Sequence, residues 1–297
     1  VLGRLPDDSP LAGGVFLDRE AAERAMGTLA RKLGLERLAC AEGIVRVAET
    51  EMRRALGVMT VERGIDPRGF TLMPFGGAGP LHAAAMATEL GISRVLCPRA
   101  CGVLSALGLA AAASRRDASR TVMLSGEAFA SERVGAERDS LIQRATDELD
   151  PQAGPGRPAE RVEVSYELRY RGQSFELSVK AGIDNLRSAF EEAHEQRYGY
   201  RDEQGEVELV TIRVSAWGTP PPLTLAGHAG EPPARGSTHI VFDGELVEAE
   251  LWRGELPPGT RICGPALCAM PESTLLVPPG WRGGVDEHGT IALERTA

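Results

Sequence analysis

The stretch Phe75-Gly-Gly-Ala-Gly-Pro80, followed by Leu81 and His82, constrains this chain more than any other. Gly69 to Pro74 before it is short and apolar. Ala83 to Leu90 after it is rich in Ala and Met and stops at Gly91. That order predicts strand, glycine turn, helix. Pro80 suits an early helical position, because its fixed φ is helical and its missing N–H would have no intrahelical partner. The glycines between Gly76 and Gly79 let the backbone come close to a guest. The N–H groups of the helix start then face that guest, with the positive end of the helix dipole behind them. An anion is the natural occupant, and a nucleotide phosphate above all. The turn matches neither the P-loop nor the dinucleotide fingerprint. A tight turn without a ligand is therefore the second reading.

Ile92 to Cys97 reads as a second strand, closed by Pro98. Strand, helix, strand suggests a right-handed parallel unit. In such sheets ligands sit beyond the carboxyl ends of the strands. The glycine turn lies there, and so does Cys101–Ser105, which opens a helix to about Ser114. Upstream, Asp18 can cap a helix to about Leu33, with Leu29 and Leu33 on one face. A second helix from Glu36 to Leu56 recurs at three and four through Leu38, Ala41, Val45, Ala48, Met52 and Leu56, so that stripe should be buried. Gly43 inside it costs about 1 kcal/mol relative to Ala. It marks close approach of a ligand or backbone, or a helix-packing contact.

Downstream, Val122 to Leu124 reads as a strand and Ser131 to Leu149 as a polar helix. Asp150–Pro158 is a loop by its proline and glycine content. Val162 to Tyr170 alternates, Arg171-Gly-Gln173 turns, and Phe175, Leu177 and Val179 alternate again, which is a hairpin pattern. Tyr166 and Tyr170 suit its core, and the turn explains Arg171-Gly-Gln173 more simply than a substrate contact does. Asp184 can cap a helix to Arg197, on which His194 and Tyr198, four apart, suit packing. Val210 to Ala216 is a strand ended by Pro220–Pro222, and Pro220 to Gly236 reads as a linker. From His239 on, short alternating runs read as a small all-β module. The segments are then 1–125 (α/β with the glycine turn), 126–159 (helix and linker), 160–219 (α+β) and 237–297 (β).

Net charge is −9 with 33 Lys and Arg and no basic stripe, which argues against nucleic acid or an anionic membrane as partner. No apolar run reaches the length of a membrane span. Val1-Leu-Gly-Arg-Leu-Pro6 lacks the ordered regions of a signal peptide and an initiator Met, and reads as if cut from a longer chain. Five cysteines, an odd number, fit a reducing cytoplasm. Neither Cys97 with Cys101 nor Cys263 with Cys268 has a second ligand pair nearby, so no metal site is expected. No Ser-His-Asp or Cys-His arrangement can be assembled, and no catalytic residue is assigned.

Several stretches, in order and from end to end, resemble the C-terminal part of the hydantoinase A/5-oxoprolinase family. They are Val1–Leu5, Thr60–Gly64 with Asp66-Pro-Arg68, Phe75–His82, Glu89–Ile92, Gly102–Gly108, Arg169–Ser174, His194–Tyr200, Gly264-Pro-Ala266 and Val277–Gly280. The resemblance implies an α/β fold, the second lobe of an actin/sugar-kinase/Hsp70-like ATPase, followed by a small α+β unit and a C-terminal all-β module. It implies Mg-ATP, phosphoryl transfer to the carbonyl oxygen of a cyclic amide or ketone, and then ring opening or carboxylation. It also implies two partners, a hydantoinase B-type subunit and an N-terminal lobe. Gly76, Gly77, Ala78 and Gly79, with Pro80 and His82, would be the nucleotide contacts. The family's first phosphate loop is not in this sequence, and Asp286–Thr290, superficially similar, reads as a hairpin turn. Ala269 and Met270 stand where family members often carry two acidic residues, with Glu272 following, and Ala113 replaces an Asp of many members. Two readings of function follow: part of an ATP-dependent cyclic amidohydrolase, or a non-catalytic module that docks on its N-terminal lobe and partner subunit. A sugar-kinase lobe is the third, and the ordered β tail speaks against it.

Overall fold

The computed structural model describes residues 1–6, 10–11, 14–149, 159–202, 204–222 and 233–296. Helix α1 (Arg19–Leu33) starts where Asp18 accepts the Ala21 N–H and stops at Gly34. Helix α2 (Arg37–Met59) follows, then α3 (Gly79–Leu90), strand β1 (Arg94–Cys97) and the short α4 (Leu104–Ala111). Next come β2 (Arg115–Ser125), α5 (Ser131–Asp147), β3 (Arg161–Tyr170), β4 (Leu177–Val179), α6 (Leu186–Tyr198) and β5 (Val207–Trp217). The C-terminal strands are β6 (Ala234–Phe242), β7 (Glu245–Arg253), β8 (Arg261–Cys263), β9 (Ala266–Ala269), β10 (Thr274–Val277), β11 (Trp281–Val285) and β12 (Ile291–Arg295).

Two compact units result, Val1–Leu109 with Thr224–Ala297, and Ala110–Leu223. This division differs from the four consecutive segments read off the sequence. The C-terminal strands are not a module of their own, because they share a core with the glycine-turn region. β1 pairs antiparallel with β12 along its whole length, in the sheet β1-β12-β11-β8. The second sheet, β10-β9-β7-β6, packs β10 on α3. Ala83, Ala84 and Ala87 of α3 are buried with Val95, Cys97, Leu275, Val277, Ile291 and Leu293 in one apolar cluster. The Ala-rich face of α3 is thus what lets strands lie close to it.

The expected strand before the glycine turn shrinks to one bridge. Leu72 alone pairs with Val95, in the predicted parallel sense. Pro67–Gly69 instead forms a 3-10 turn. In α1, Leu29 and Leu33 are exposed and only Ala30 is buried. In α2 the expected stripe is covered only in part: Ala41 is buried, Leu38, Val45, Met52 and Leu56 are half-buried, and Ala48 is exposed.

The second unit holds the antiparallel sheet β2-β5-β3-β4 with α5 and α6. β2 is far longer than Val122–Leu124 suggested, and it carries the chain from α4 into this sheet by pairing with β5. The predicted hairpin is β3 and β4, with Phe175 exposed outside it. Asp184 does not cap α6; it accepts from the Ser131 hydroxyl at 2.8 Å. Phe190 and Tyr166 fill the core with Leu141, Leu168, Leu186 and Ile212. The loop 150–158 and most of the proposed linker lie outside the described residues, and Gly236, its expected end, is inside β6.

Candidate functional site

Gly76 has φ +82°, the left-handed region that only glycine adopts freely, and its N–H donates to the Cys101 carbonyl at 2.7 Å. The chain then passes Gly77 and Ala78, both exposed, and enters α3 at Gly79. Ala78 occupies the N-cap position with no side-chain cap, and Pro80 is buried in the first turn. Among the described residues, no hydrogen bond occupies the N–H groups of Gly77, Ala78 or Gly79. Such donors at a helix start are what an anion satisfies.

These residues border an open cavity of about 510 Å³. Gly77, Ala78 and Leu81 form one wall, and the β9–β10 turn, Met270 to Ser273, forms the other. That turn is closed by the Met270 N–H donating to the Ser273 carbonyl at 2.9 Å. A Cβ on Gly77 would lie 3.4 Å from the Glu272 carbonyl oxygen, so the two walls touch at their base. Arg253 and Glu272 supply the charged side chains of the cavity wall among the described residues.

Of the turn, Gly77 and Ala78 line the open cavity, and Gly76 and Gly79 flank them. His82 is placed differently. Its Nδ1 lies 3.1 Å from Glu49 Oε1 on α2, both side chains mostly buried, and it does not line the cavity. Sequence reasoning missed the opposing wall. A signal was present, since Ala269 and Met270, two departures from the resembled family's pattern, line this cavity together with Glu272.

Beneath the turn, Cys97 donates to Cys101 Sγ at 3.4 Å, and Cys101 Sγ lies 3.1 Å from Ser273 Oγ. Cys101 thus ties the glycine turn, through its carbonyl, to the β9–β10 turn, through its sulfur. The hydrogen bond from Cys97 draws the Cys101 thiol down to about 7 against the opposing effect of burial, with help from Ser273. The same pairing pushes Cys97 far up, and burial pushes Cys268 up to about 12. Among the described residues no group of three or more His, Cys, Asp or Glu could hold a metal ion. An expected result follows: thiolate absorbance appears with a midpoint near 7 and is abolished by Cys101→Ser, while Cys97→Ala moves the midpoint toward the ordinary thiol range. A wild-type titration only near the free-thiol range would contradict this geometry.

In the second unit, the Arg171-Gly-Gln173 motif is a turn. Arg171 pairs with Glu206 at 2.8 Å, and Gln173 Nε2 lies 3.4 Å from His194 Nε2. The buried His194 holds the Tyr200 carbonyl through Nδ1 at 2.8 Å and sits among the rings of Tyr170, Phe190 and Tyr198. Two of the sequence motifs, Arg169–Ser174 and His194–Tyr200, are thus one packed structure. Asp286–Thr290 is the β11–β12 hairpin turn, with Asp286 Oδ1 accepting from His288 and Thr290 N–H groups.

Comparison with known proteins gives the following. The family described as Hydantoinase/oxoprolinase matches residues 1–118, and the Hydantoinase/oxoprolinase C-terminal domain matches residues 125–296. The caprolactamase subunit alpha of Pseudomonas jessenii is 29% identical over 98% of this chain and 45% of its own. 5-Oxoprolinase 1 of Arabidopsis thaliana is 29% identical over 97% of this chain and 24% of its own. The nucleotide-free structure of an acetone carboxylase that acts in ATP-dependent acetone carboxylation superposes with a TM-score of 0.82 at 25% identity, over 99% of this chain and 45% of that one. The crystal structure of the ATP-dependent caprolactamase gives a TM-score of 0.67 at 28% identity, over 100% and 46%. The chain spans less than half the length of each of these relatives.

Proposed function

The chain belongs to the hydantoinase/oxoprolinase family, and from that premise we propose that it is the C-terminal portion of an ATP-dependent cyclic amidohydrolase. In this reading the whole enzyme activates the carbonyl of a cyclic amide, or of a ketone, by phosphorylation, and the activated cyclic amide then opens at its C–N bond. The observation that carries it is the exposed Gly77–Ala78 backbone at the head of α3, open to a cavity.

The chain's own residues fit the phosphates of a nucleotide in three respects. The amides of Gly77 to Gly79 can donate to anionic oxygens, the α3 dipole favours negative charge there, and Gly76 holds the turn in the conformation that aims them. Mg²⁺ would neutralise phosphate charge when bound, and it needs only one or two protein carboxylates. Glu272 is the carboxylate that lines the cavity. Phosphoryl transfer depends on positioning and charge neutralisation, so a single wall of a cleft should catalyse little by itself. The opposing jaw, in this reading, is the N-terminal lobe of an actin-like ATPase fold, and a hydantoinase B-type subunit is the further partner. The free thiols suit a reducing, cytoplasmic setting.

The alternative, that this chain alone is a non-catalytic docking module, draws on α2. Ile44, Val47, Val58 and Met59 are exposed along it, and a Cβ on Gly43 or Gly57 would meet nothing within 4 Å. Apolar side chains exposed along one helix suit a covering partner. The two readings separate in one experiment. The chain should bind a fluorescent ATP analogue, and Gly76→Val should weaken that binding by roughly tenfold or more, since a β-branched residue at positive φ is strained. Substrate-stimulated ADP release by this chain alone would reject the module reading. Absence of nucleotide binding in the wild-type chain would reject the role given to the glycine turn.

A further inference from the structure

Of the Val1-Leu-Gly-Arg-Leu5 motif only Leu5 borders the site above, yet the whole motif is held tightly. The Val241 N–H of β6 donates to the Leu2 carbonyl at 3.0 Å, and a Cβ on Gly3 would lie 2.1 Å from the His239 carbonyl oxygen. Only glycine lets the segment lie this close to β6. The effect is to fix Arg4. Its Nη2 donates to the Val241 carbonyl at 3.3 Å and its guanidinium carbon sits 5.5 Å from the centre of the Phe242 ring. Its Nε is buried without a hydrogen-bond partner, one of two such side-chain atoms among the described residues. No carboxylate of the described residues pairs with it.

Arg4 lies in the wall of a second cavity, of about 370 Å³, between the N-terminal segment, α1 and α2. The other walls are mainly aliphatic, with Leu2, Leu17, Met26, Ile44 and Val45 among them. Two other charged side chains border it. Asp18 is engaged by the Ala21 N–H at the positive end of α1, and Arg19 pairs with Glu23. Among the described residues Arg4 has no counter-charge. Leu5 and Leu81 line this cavity and the glycine-turn cavity alike, so the two adjoin.

We propose that this cavity is a binding site for a small molecule with an apolar body and one carboxylate, the carboxylate held by Arg4. Small-molecule sites are commonly of about 300–1,000 Å³, largely apolar, with a few placed polar groups, and this cavity has that make-up. A charge-assisted bond from a partly desolvated guanidinium is among the stronger polar contacts available. The site does not depend on what the glycine turn binds.

Hexanoate serves as the probe, with hexanol and hexylamine as comparators, read by ligand-observed NMR and calorimetry on the whole chain. Hexanoate is expected to bind at one site, at least about tenfold tighter than hexanol or hexylamine. Arg4→Leu should weaken hexanoate by roughly tenfold or more. Ala22→Phe, which fills the cavity from α1 and leaves Arg4 intact, should weaken it as much, so the test survives if either variant folds poorly. Equal binding of hexanoate and hexanol overturns the proposal, as does no binding of hexanoate. Loss in only one of two folded variants also overturns it, because carboxylate and cavity would then not be one site.

Discussion

Gly102→Val is expected to destabilise the first unit by about 2–3 kcal/mol, the upper range for overpacking. A Cβ on Gly102 would stand 2.4 Å from the Glu272 carbonyl oxygen and 2.7 Å from its carbonyl carbon. Both are backbone atoms of the β9–β10 turn, so relief requires moving that turn. The same turn is the wall opposite Gly77. The substitution should therefore also weaken nucleotide binding, and more than the loss of stability alone accounts for. Urea denaturation checks the first effect and binding of an ATP analogue checks the second. Gly108→Ala is the control. It lies in α4 with nothing within 4 Å of an added Cβ, and should be neutral or stabilise by up to about 1 kcal/mol. Equal stability of Gly102→Val and Gly108→Ala would mean that the two turns do not touch as described.

Phe190→Ala should have the largest effect in the second unit, a loss of about 3–5 kcal/mol. Phe190 is wholly buried, and its ring stands edge-on to Tyr170 with centroids 4.9 Å apart. Truncation leaves a void beside His194, whose hold on the Tyr200 carbonyl and on Gln173 depends on that packing. Far-UV circular dichroism during urea unfolding reads the loss. A change below about 1 kcal/mol, typical of surface positions, would show that the aromatic cluster is not the core of this unit.

Local signals were readable in the sequence and distant pairings were not. Asp18, Gly34 and Gly91 act through atoms within one turn of their own helix, so their positions alone announce the ends of α1 and α3. The partner of β1 lies 200 residues away, with Arg94 opposite Glu294. Alternation says which face of a strand is buried but not which strand lies beside it. The first part of β2, before Val122, escaped notice for another reason. Most of its side chains are solvated, with Arg115 paired to Asp117, and only Ala118 and Leu124 are buried. A strand with so little apolar face carries almost no period-two signal. The candidate site divides in the same way. Phe75–Pro80 is a local device and could be read directly. Its opposing wall, Met270 to Ser273, comes from another sheet, and only the altered acidic positions hinted at it.

Amide hydrogen exchange across Gly76–Leu81 tests the central claim most directly. Addition of Mg-ATP should slow exchange at Gly77, Ala78 and Gly79, whose N–H groups would then donate to phosphate, and adenosine should not. Exchange at these three amides that Mg-ATP leaves unchanged, or that adenosine slows as much, would contradict the account.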